Sequence, residues 1–384
     1  MTFFLKATYP FFFLLSIFLP KNKKIWVFGH YASFSDNTRY FFEHAVKSNE
    51  FECYWLANNE KEFLEVSEIT GNVVLKNSLK GYWLSSRAYI TFICTGFGDV
   101  NRLLALNSNV INFWHGTPIK KVFQAALENN DVCFKKRVLL RIRKLVLSFL
   151  VWRTKYFYLS NTKESELILN SSNIVPEQVK IFGAPRFDCI KSTAKRDDRF
   201  LAWQRVFLYA PTWRENGFWN NIKYSSSDID SLEHFLKKSN TLFLIKLHPL
   251  SDKSEMISLG LRCSEFIRFA DEFDMNDINY LYTQADVLLT DVSSAIFDFM
   301  ILDKKTLFFM PDLQNYLLKD RSIYNYFADE LKSLAITNLK ELVDNFENIE
   351  NHVNSPVISE IAAEMRSYKN VNSLVLADIK NEFY

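Results

Sequence analysis

The feature that most constrains this chain is the regular return of short apolar runs separated by helix-like stretches. A first series, "IWVFG", "ECYWLA", "NVVLK", "AYITFIC", "VINFWHG", "KYFYLS" and "VKIFGAP", starts at Ile25. A charged, helix-like stretch, "KSTAKRDDRFLAWQR", follows, and then a second series, "FLYAPTW", "TLFLIKLHP", "FIRFA", "VLLTD" and "TLFFMP". Strands that alternate with helices imply a parallel sheet covered by helices on both faces. Two such series in 384 residues suit two Rossmann-like α/β domains, 25–195 and 196–384. The tail after Asn338 reads as helices that return across the first domain. With nine glycines and nine prolines, the chain has little material for disordered linkers.

Charge narrows the partners. A net charge of +2 is close to balance, so no global field attracts nucleic acid and any basic surface is local. The five cysteines, Cys53, Cys94, Cys133, Cys189 and Cys263, are scattered and never spaced C-x-x-C, which argues against a disulfide framework and against a zinc site. Residues 1–24 form an apolar segment whose uninterrupted part, Phe11 to Pro20, is short of the roughly 20 residues a spanning helix needs. With "PKNKK" after it instead of a small-residue cleavage site, it reads as an interfacial or core-packed helix with a basic collar. Between Val132 and Lys163 there is no acidic residue. A helix near 133–153 places Arg137, Arg141 and Lys144 at i, i+4 and i+7, next to an apolar stripe of Val138, Ile142, Leu145 and Phe149. Together with Arg143, this pattern fits an anionic lipid surface at the membrane.

Five loops follow strands and carry polar groups that are costly to bury without a ligand: "WHGTPIKK", "GAPRFD", "APTWRE", "KLHP" and "LLTDVSSAIFD". In open α/β sheets the carboxyl edge of the strands is where ligands sit. Two of the six histidines, His115 and His248, stand at that edge, one in each series, and Arg186 and Arg214 occupy two further strand-end loops. After the strand ending at Asp291, Ser293 and Ser294 open a helix whose first amides can hold an anion, although a plain N-cap would use the same residues. The D-x-D spacing of Asp228 and Asp230 in "SSSDIDS" is better explained by helix capping than by metal binding.

Read in order, these five loops, with "VFGHYASFSDNTRYFFEHA" near the start, resemble the CDP-glycerol glycerophosphotransferase family of teichoic-acid and capsule polymerases and primases. The likeness runs from about Lys23 to Tyr326, with Phe187 where the family commonly has Asn and Val292 where it commonly has Tyr. It implies a GT-B fold, two Rossmann-like domains facing across a cleft, the second holding a CDP-alditol donor and the first meeting the acceptor. It further implies transfer of an alditol phosphate, glycerol phosphate foremost, to a hydroxyl of a lipid-linked or polymeric glycan acceptor with release of CMP. His115 and His248 then carry the chemistry, His115 as base. Arg186, Arg214, Lys246, Asp291, Ser293, Ser294 and Asp298 fall to the donor, and His30, Asn37 and Arg39 to the acceptor. Helix amides and cationic side chains can stand in for a metal, so no cofactor is required, with Mg²⁺ at most assisting. The expected location is the cytoplasmic face of the cell membrane, held peripherally. Two readings stay open beside it: a GT-B glycosyltransferase using a nucleotide sugar, and a catalytically idle membrane-surface homologue.

Overall fold

The computed structural model describes residues 2–127, 134–192, 195–213, 224–248, 251, 263–275, 277–313, 316 and 323–384. The chain divides into two units. Unit 1 comprises Met1–Gly116, Phe123–Asp188 and Tyr368–Tyr384, and unit 2 comprises Thr117–Val122 and Cys189–Ser367.

Unit 1 is built on a seven-stranded sheet of β1 (Asn22–Phe28), β2 (Glu52–Ala57), β3 (Val73–Leu75), β4 (Ala88–Ile93), β5 (Asn109–Asn112), β6 (Thr154–Leu159) and β7 (Val179–Ile181). Its order is β3-β2-β1-β4-β5-β6-β7, and every neighbouring pair is parallel. The order reverses between β1 and β4, so right-handed crossovers place helices on opposite faces to the two sides of that point. The helices up to the change of unit are α1 (Thr2–Phe18), α2 (Asp36–Ser48), α3 (Glu60–Ile69), α4 (Leu79–Arg87), α5 (Arg102–Ala105), α6 (Phe134–Arg153), α7 (Thr162–Ser171) and α8 (Phe187–Lys191), the last of which spans the passage from unit 1 to unit 2 after Asp188. Each strand run of the first series forms a strand because it is rich in branched and aromatic side chains buried on a pleated surface. The phenylalanine richness has a structural use here. Phe28 and Phe92 stack at 4.4 Å, Phe92 and Phe113 at 5.5 Å, and Phe113 meets Tyr158 edge-on at 5.8 Å. Such ring pairs add about 0.5–1.5 kcal/mol each beyond their burial, and these fix the strand ends that carry the polar loops.

Unit 2 repeats the plan with six parallel strands: β8 (Arg205–Tyr209), β9 (Thr241–Ile245), β10 (Ile267–Phe269), β11 (Val287–Thr290), β12 (Lys305–Phe309) and β13 (Ala335–Ile336), in the order β10-β9-β8-β11-β12-β13. Its reversal lies between β8 and β11. Phe207, Tyr209, Phe243, Leu289 and Phe309 form the core with Leu232 and Leu236 of α9 (Ser226–Lys238) and with Leu342 and Phe346.

The structure differs from the sequence reading in four places. The chain enters unit 2 at Thr117, directly after Gly116, where the carbonyl of Ile119 accepts from the Tyr324 amide at 3.0 Å and Lys120 bridges Ile323. The last helix, Val371–Phe383, belongs to unit 1 and not to a domain running from 196 to 384. The charged stretch after Lys191 is no helix among the described residues: it holds a three-residue turn, Asp198–Phe200, capped by Asp197. Too short for a periodic signal, β13 was not foreseen. The D-x-D segment starts α9, with Ser225 and Asp228 in a reciprocal capping box, Oγ of Ser225 donating to the Asp228 carboxylate at 2.6 Å.

At the N-terminus α1 runs through Pro10 and packs on α4, Tyr9 and Phe12 lying 5.2 and 5.6 Å from the Tyr82 ring. Its other side leaves Phe11, Leu14, Ile17 and Phe18 exposed, Phe18 by 83%. Among the described residues no helix is long and apolar enough to cross a membrane.

Candidate active site

The site in unit 1 is assembled at the carboxyl edge of β1, β4 and β5, where the strand order reverses. His30 follows β1, the segment Cys94–Asp99 follows β4, and His115 follows β5. Asp99 ties the first two together: its carboxylate accepts the amides of Tyr31 at 3.1 Å, Cys94 at 2.8 Å, Thr95 at 2.8 Å and Gly96 at 3.3 Å.

His115 is presented by strained backbone. Trp114 adopts φ +51°, a left-handed conformation unusual for a bulky residue, and Gly116 follows at φ +124°. Such a residue costs about 1–3 kcal/mol and persists only where its surroundings over-determine it. They do so here. The Trp114 amide donates to Oδ1 of Asn112 at 2.8 Å, and its carbonyl accepts from Nδ2 of Asn37 at 2.8 Å. Asn37, buried at the start of α2, also accepts the Arg186 amide at 3.3 Å. Its amide group therefore holds the His115 loop and the "GAPR" loop together, a positioning role.

Around His115 the charges are arranged by the same contacts. Nδ1 lies 3.4 Å from the Cys94 carbonyl, and since a carbonyl only accepts, Nδ1 carries the proton and Nε2 the lone pair. The residue is exposed to solvent, yet the surrounding protein is dense enough to hold its pKa below the ordinary imidazole value. The Asp36 carboxylate and the Cys94 carbonyl oppose that fall, Arg186 adds to it, and Asp99 opposes it. Asp36 itself sits at φ +61°, accepts the Asn37 amide at 2.7 Å and pairs with Nη1 of Arg186 at 3.4 Å. It was not foreseen, because Asp-Asn before a helix reads as a cap. The residue in the cap position is Ser35, whose side chain makes no capping bond.

Arg186, grouped with the donor residues in the sequence, lies in unit 1 with Asp36 and Asn37, its side chain 3% exposed. Arg39 pairs with Glu43 at 2.9 Å and lies over the Phe34 ring at 5.0 Å. Ligand atoms of His30, Asp36 and Cys94 lie within 4.8 Å of one another. They suit a metal cation poorly, because the Arg186 guanidinium stands 3.4 Å from the Asp36 carboxylate, and burial with the nearby Asp36 and Asp99 charges pushes the Cys94 thiol well above its ordinary pKa. Phe187, one of the departures from the family pattern, is fully buried behind Arg186, and Val292, the other, is 2% exposed, so both changes fall in packing.

Unit 2 places its polar loops at the equivalent reversal. Asp291, after β11, is buried and accepts the Thr212 amide at 3.1 Å and the Thr212 hydroxyl, while Thr290 donates to the Ala210 carbonyl at 2.8 Å. This carboxylate thus fixes the "APTW" loop after β8. His248 follows β9, half-buried, with its ring 6.4 Å from that of Trp213. Burial lowers its pKa first and Lys246 lowers it further. Burial likewise lowers Lys246, opposed by Asp271 and Asp277. Ser293 accepts the Ala295 amide at 3.2 Å, whereas Ser294, at the cap position of the helix Ala295–Met300, makes no side-chain capping bond. Asp298 is buried in that helix. Arg214 lies outside the described residues. Arg137 does so for its side chain, while Arg141 and Arg143 are exposed on α6 and Lys144 is partly buried.

Two Rossmann-like units, each with a histidine beside its strand reversal, are of the GT-B type of transferase fold. The wall teichoic acid polymerase TagF has a similar structure, with a TM-score of 0.70 at 20% identity over 100% of this chain and 99% of that one, a likeness that concerns the fold. The family model for CDP-Glycerol:Poly(glycerophosphate) glycerophosphotransferase matches residues 11–372, and the chain belongs to that family. Similar sequences include the teichoic acid poly(glycerol phosphate) polymerase of Bacillus spizizenii, 28% identical over 80% of this chain and 79% of the relative. The teichoic acid glycerol-phosphate transferase of Staphylococcus aureus is 25% identical over 91% and 89%.

Proposed function

We propose that this protein transfers glycerol phosphate from CDP-glycerol to a hydroxyl of a growing teichoic-acid-like acceptor, releasing CMP. The observation that carries the reading is His115, with Nδ1–H turned to the Cys94 carbonyl and Nε2 left as acceptor on strained, doubly pinned backbone. The acceptor oxygen attacks the β-phosphorus of CDP-glycerol, and Nε2 takes its proton. The new O–P bond forms as the bond to the bridging oxygen breaks, and the electron pair leaves with CMP. A pKa below the ordinary imidazole value keeps His115 unprotonated at neutral pH, ready to accept. The Asp36 carboxylate then stabilises the imidazolium. In unit 2, His248, Lys246 and the Ser293/Ser294 turn support a seat for the diphosphate, where charge grows as CMP leaves. These groups supply the charge without a required metal, so activity should survive a chelator.

The exposed faces of α1 and α6 support a peripheral seat on the anionic inner leaflet, at the cytoplasmic face of the membrane. On α6 the stripe Ile142, Leu145 and Phe149 turns outward with Arg141 and Arg143, Leu145 being 71% and Trp152 70% exposed. Of the basic collar after α1, Lys21 instead donates to the Ser86 carbonyl at 2.7 Å, and burial beside Arg87 lowers it to about 8. Incubation with CDP-glycerol and a glycerol-phosphate-primed acceptor, with mass spectrometry of both products, tests the reaction. CMP and a new phosphodiester are expected, and a glycosidic product with a nucleoside diphosphate would overturn it.

A further inference from the structure

A recess opens at the same carboxyl edge of the unit 1 sheet, formed by the loops after β3 and β4 and closed on one side by α1. Its volume is about 470 Å³, and Tyr9, Lys76, Asn77, Tyr82, Asn101 and Arg102 line it. We propose that this recess binds a phosphodiester of the acceptor chain, upstream of the hydroxyl that reacts.

The lining has the composition such an anion needs. It contains two cations and no carboxylate. Two acids reach Lys76 with their charge: Asp99 accepts the amides of Tyr31, Cys94, Thr95 and Gly96, and Glu62 accepts from the Trp55 indole and from the Asn58 backbone amide and Nδ2. Arg102 is exposed and has no ion-pair partner among the described residues. Lys76 is held in place, its Nζ donating to the Gly98 carbonyl at 2.8 Å and to Oδ1 of Asn58 at 3.0 Å, which leaves one further donor on the ammonium. Asn101 fixes the wall, donating to the Lys76 carbonyl and to the Ser85 hydroxyl, both at 3.0 Å. The Tyr9 hydroxyl accepts the Leu103 amide at 2.8 Å and so binds α1 to the rim.

Position argues for the acceptor. Asn58, which takes the Lys76 amine, donates through Nδ2 to the His30 carbonyl at 2.7 Å, so two hydrogen bonds lead from the recess to the loop beside His115. A polyanionic acceptor with its terminal hydroxyl at His115 has earlier phosphodiesters to place along this edge, and the paired charges of Asp36 and Arg186 offer them nothing. The same chemistry would suit an anionic phospholipid headgroup, since α1 also carries the exposed apolar face.

The inference rests on the glycerophosphotransferase reading, and the test separates the two. Wild type, Arg102→Glu and Arg102→Lys are assayed with CDP-glycerol and a soluble glycerol phosphate oligomer, the oligomer is titrated in the absence of donor, and each protein is pelleted with phosphatidylglycerol vesicles. Arg102→Glu should weaken oligomer binding and raise its KM about tenfold or more, as expected for a lost hydrogen bond to a charged group. Arg102→Lys should retain most of both, and the KM for CDP-glycerol and vesicle pelleting should not move. Loss of pelleting with unchanged oligomer affinity would overturn the acceptor assignment in favour of lipid. No change in either would show that the recess is not an anion site. Should wild type release no CMP, the reaction reading fails, while the titration still decides the recess.

Discussion

The two strand reversals, one in each unit, use the same topology for different electrostatics. In unit 1 the reversal gathers two carboxylates, an arginine and two histidines, and the charges of Asp36 and Arg186 answer each other at 3.4 Å beside an imidazole whose tautomer is fixed. In unit 2 the acid at the reversal, Asp291, is consumed in fixing Thr212, and what stands beside His248 is a lysine. A site that must take up a proton needs a counter-charge for the cation it creates, whereas a site that must hold an anion is spoiled by one. On the function proposed above, the first unit suits proton transfer and the second the binding of negative charge.

The sharpest way to break this contrast is His115→Ala. It should lower kcat by about 10²–10⁴ with CDP affinity unchanged, measured by turnover and calorimetric titration. Near-normal turnover in the folded variant would remove the base from unit 1. His248→Ala should cost about 10²–10³ in kcat and also weaken CDP binding, so the two histidines separate by whether donor affinity falls. Ser293→Ala combined with Ser294→Ala should weaken CDP by about tenfold or more, because each hydrogen bond to a charged group is worth about 1.5–3 kcal/mol. If the serines act only as caps, the melting temperature falls instead, by the equivalent of about 1 kcal/mol, and CDP affinity stays.

The smallest effect sharpens the comparison most. Asp36→Asn removes a charge that raises the His115 pKa and leaves Arg186, which lowers it. The base then protonates at lower pH, so the acidic limb of the kcat/KM profile should move down in pH, with less than about a tenfold change at neutrality. A uniform drop at every pH would mean that Asp36 only braces the loop.

The strand series, the doubling of the plan and the two strand-end histidines were legible in the sequence because each depends on local pattern: an apolar run, a Gly or Pro stop, a polar residue at the edge. What escaped depends on distance or on backbone conformation. Arg186 meets Asp36 across 150 positions, and nothing in "GAPRFD" announces which sheet edge it serves. The contacts of Asn37 were hidden because a buried amide spent on the Trp114 carbonyl has the same sequence as one facing solvent. The apolar stripe of α6 was visible, but its direction was not, since periodicity gives a face and packing decides whether the face turns inward. Here the helix buries Val151 and leaves Leu145 outside.

The return of the last helix to unit 1 has a consequence for how the chain is made. The Asp188 carboxylate accepts the amides of Val371 and Asn372 at 2.9 Å each, Tyr158 donates to Asp378 at 2.5 Å, and the indole of Trp26 in β1 donates to the Tyr384 hydroxyl at 2.9 Å. A domain whose strand β1 is made before unit 2 is thus closed by residues 368–384, after all of unit 2 has been synthesised. The usual order of completion, in which the domain begun first is also finished first, is reversed here. The second unit can mature on the ribosome while the aromatic edge of the first still waits for its final partner.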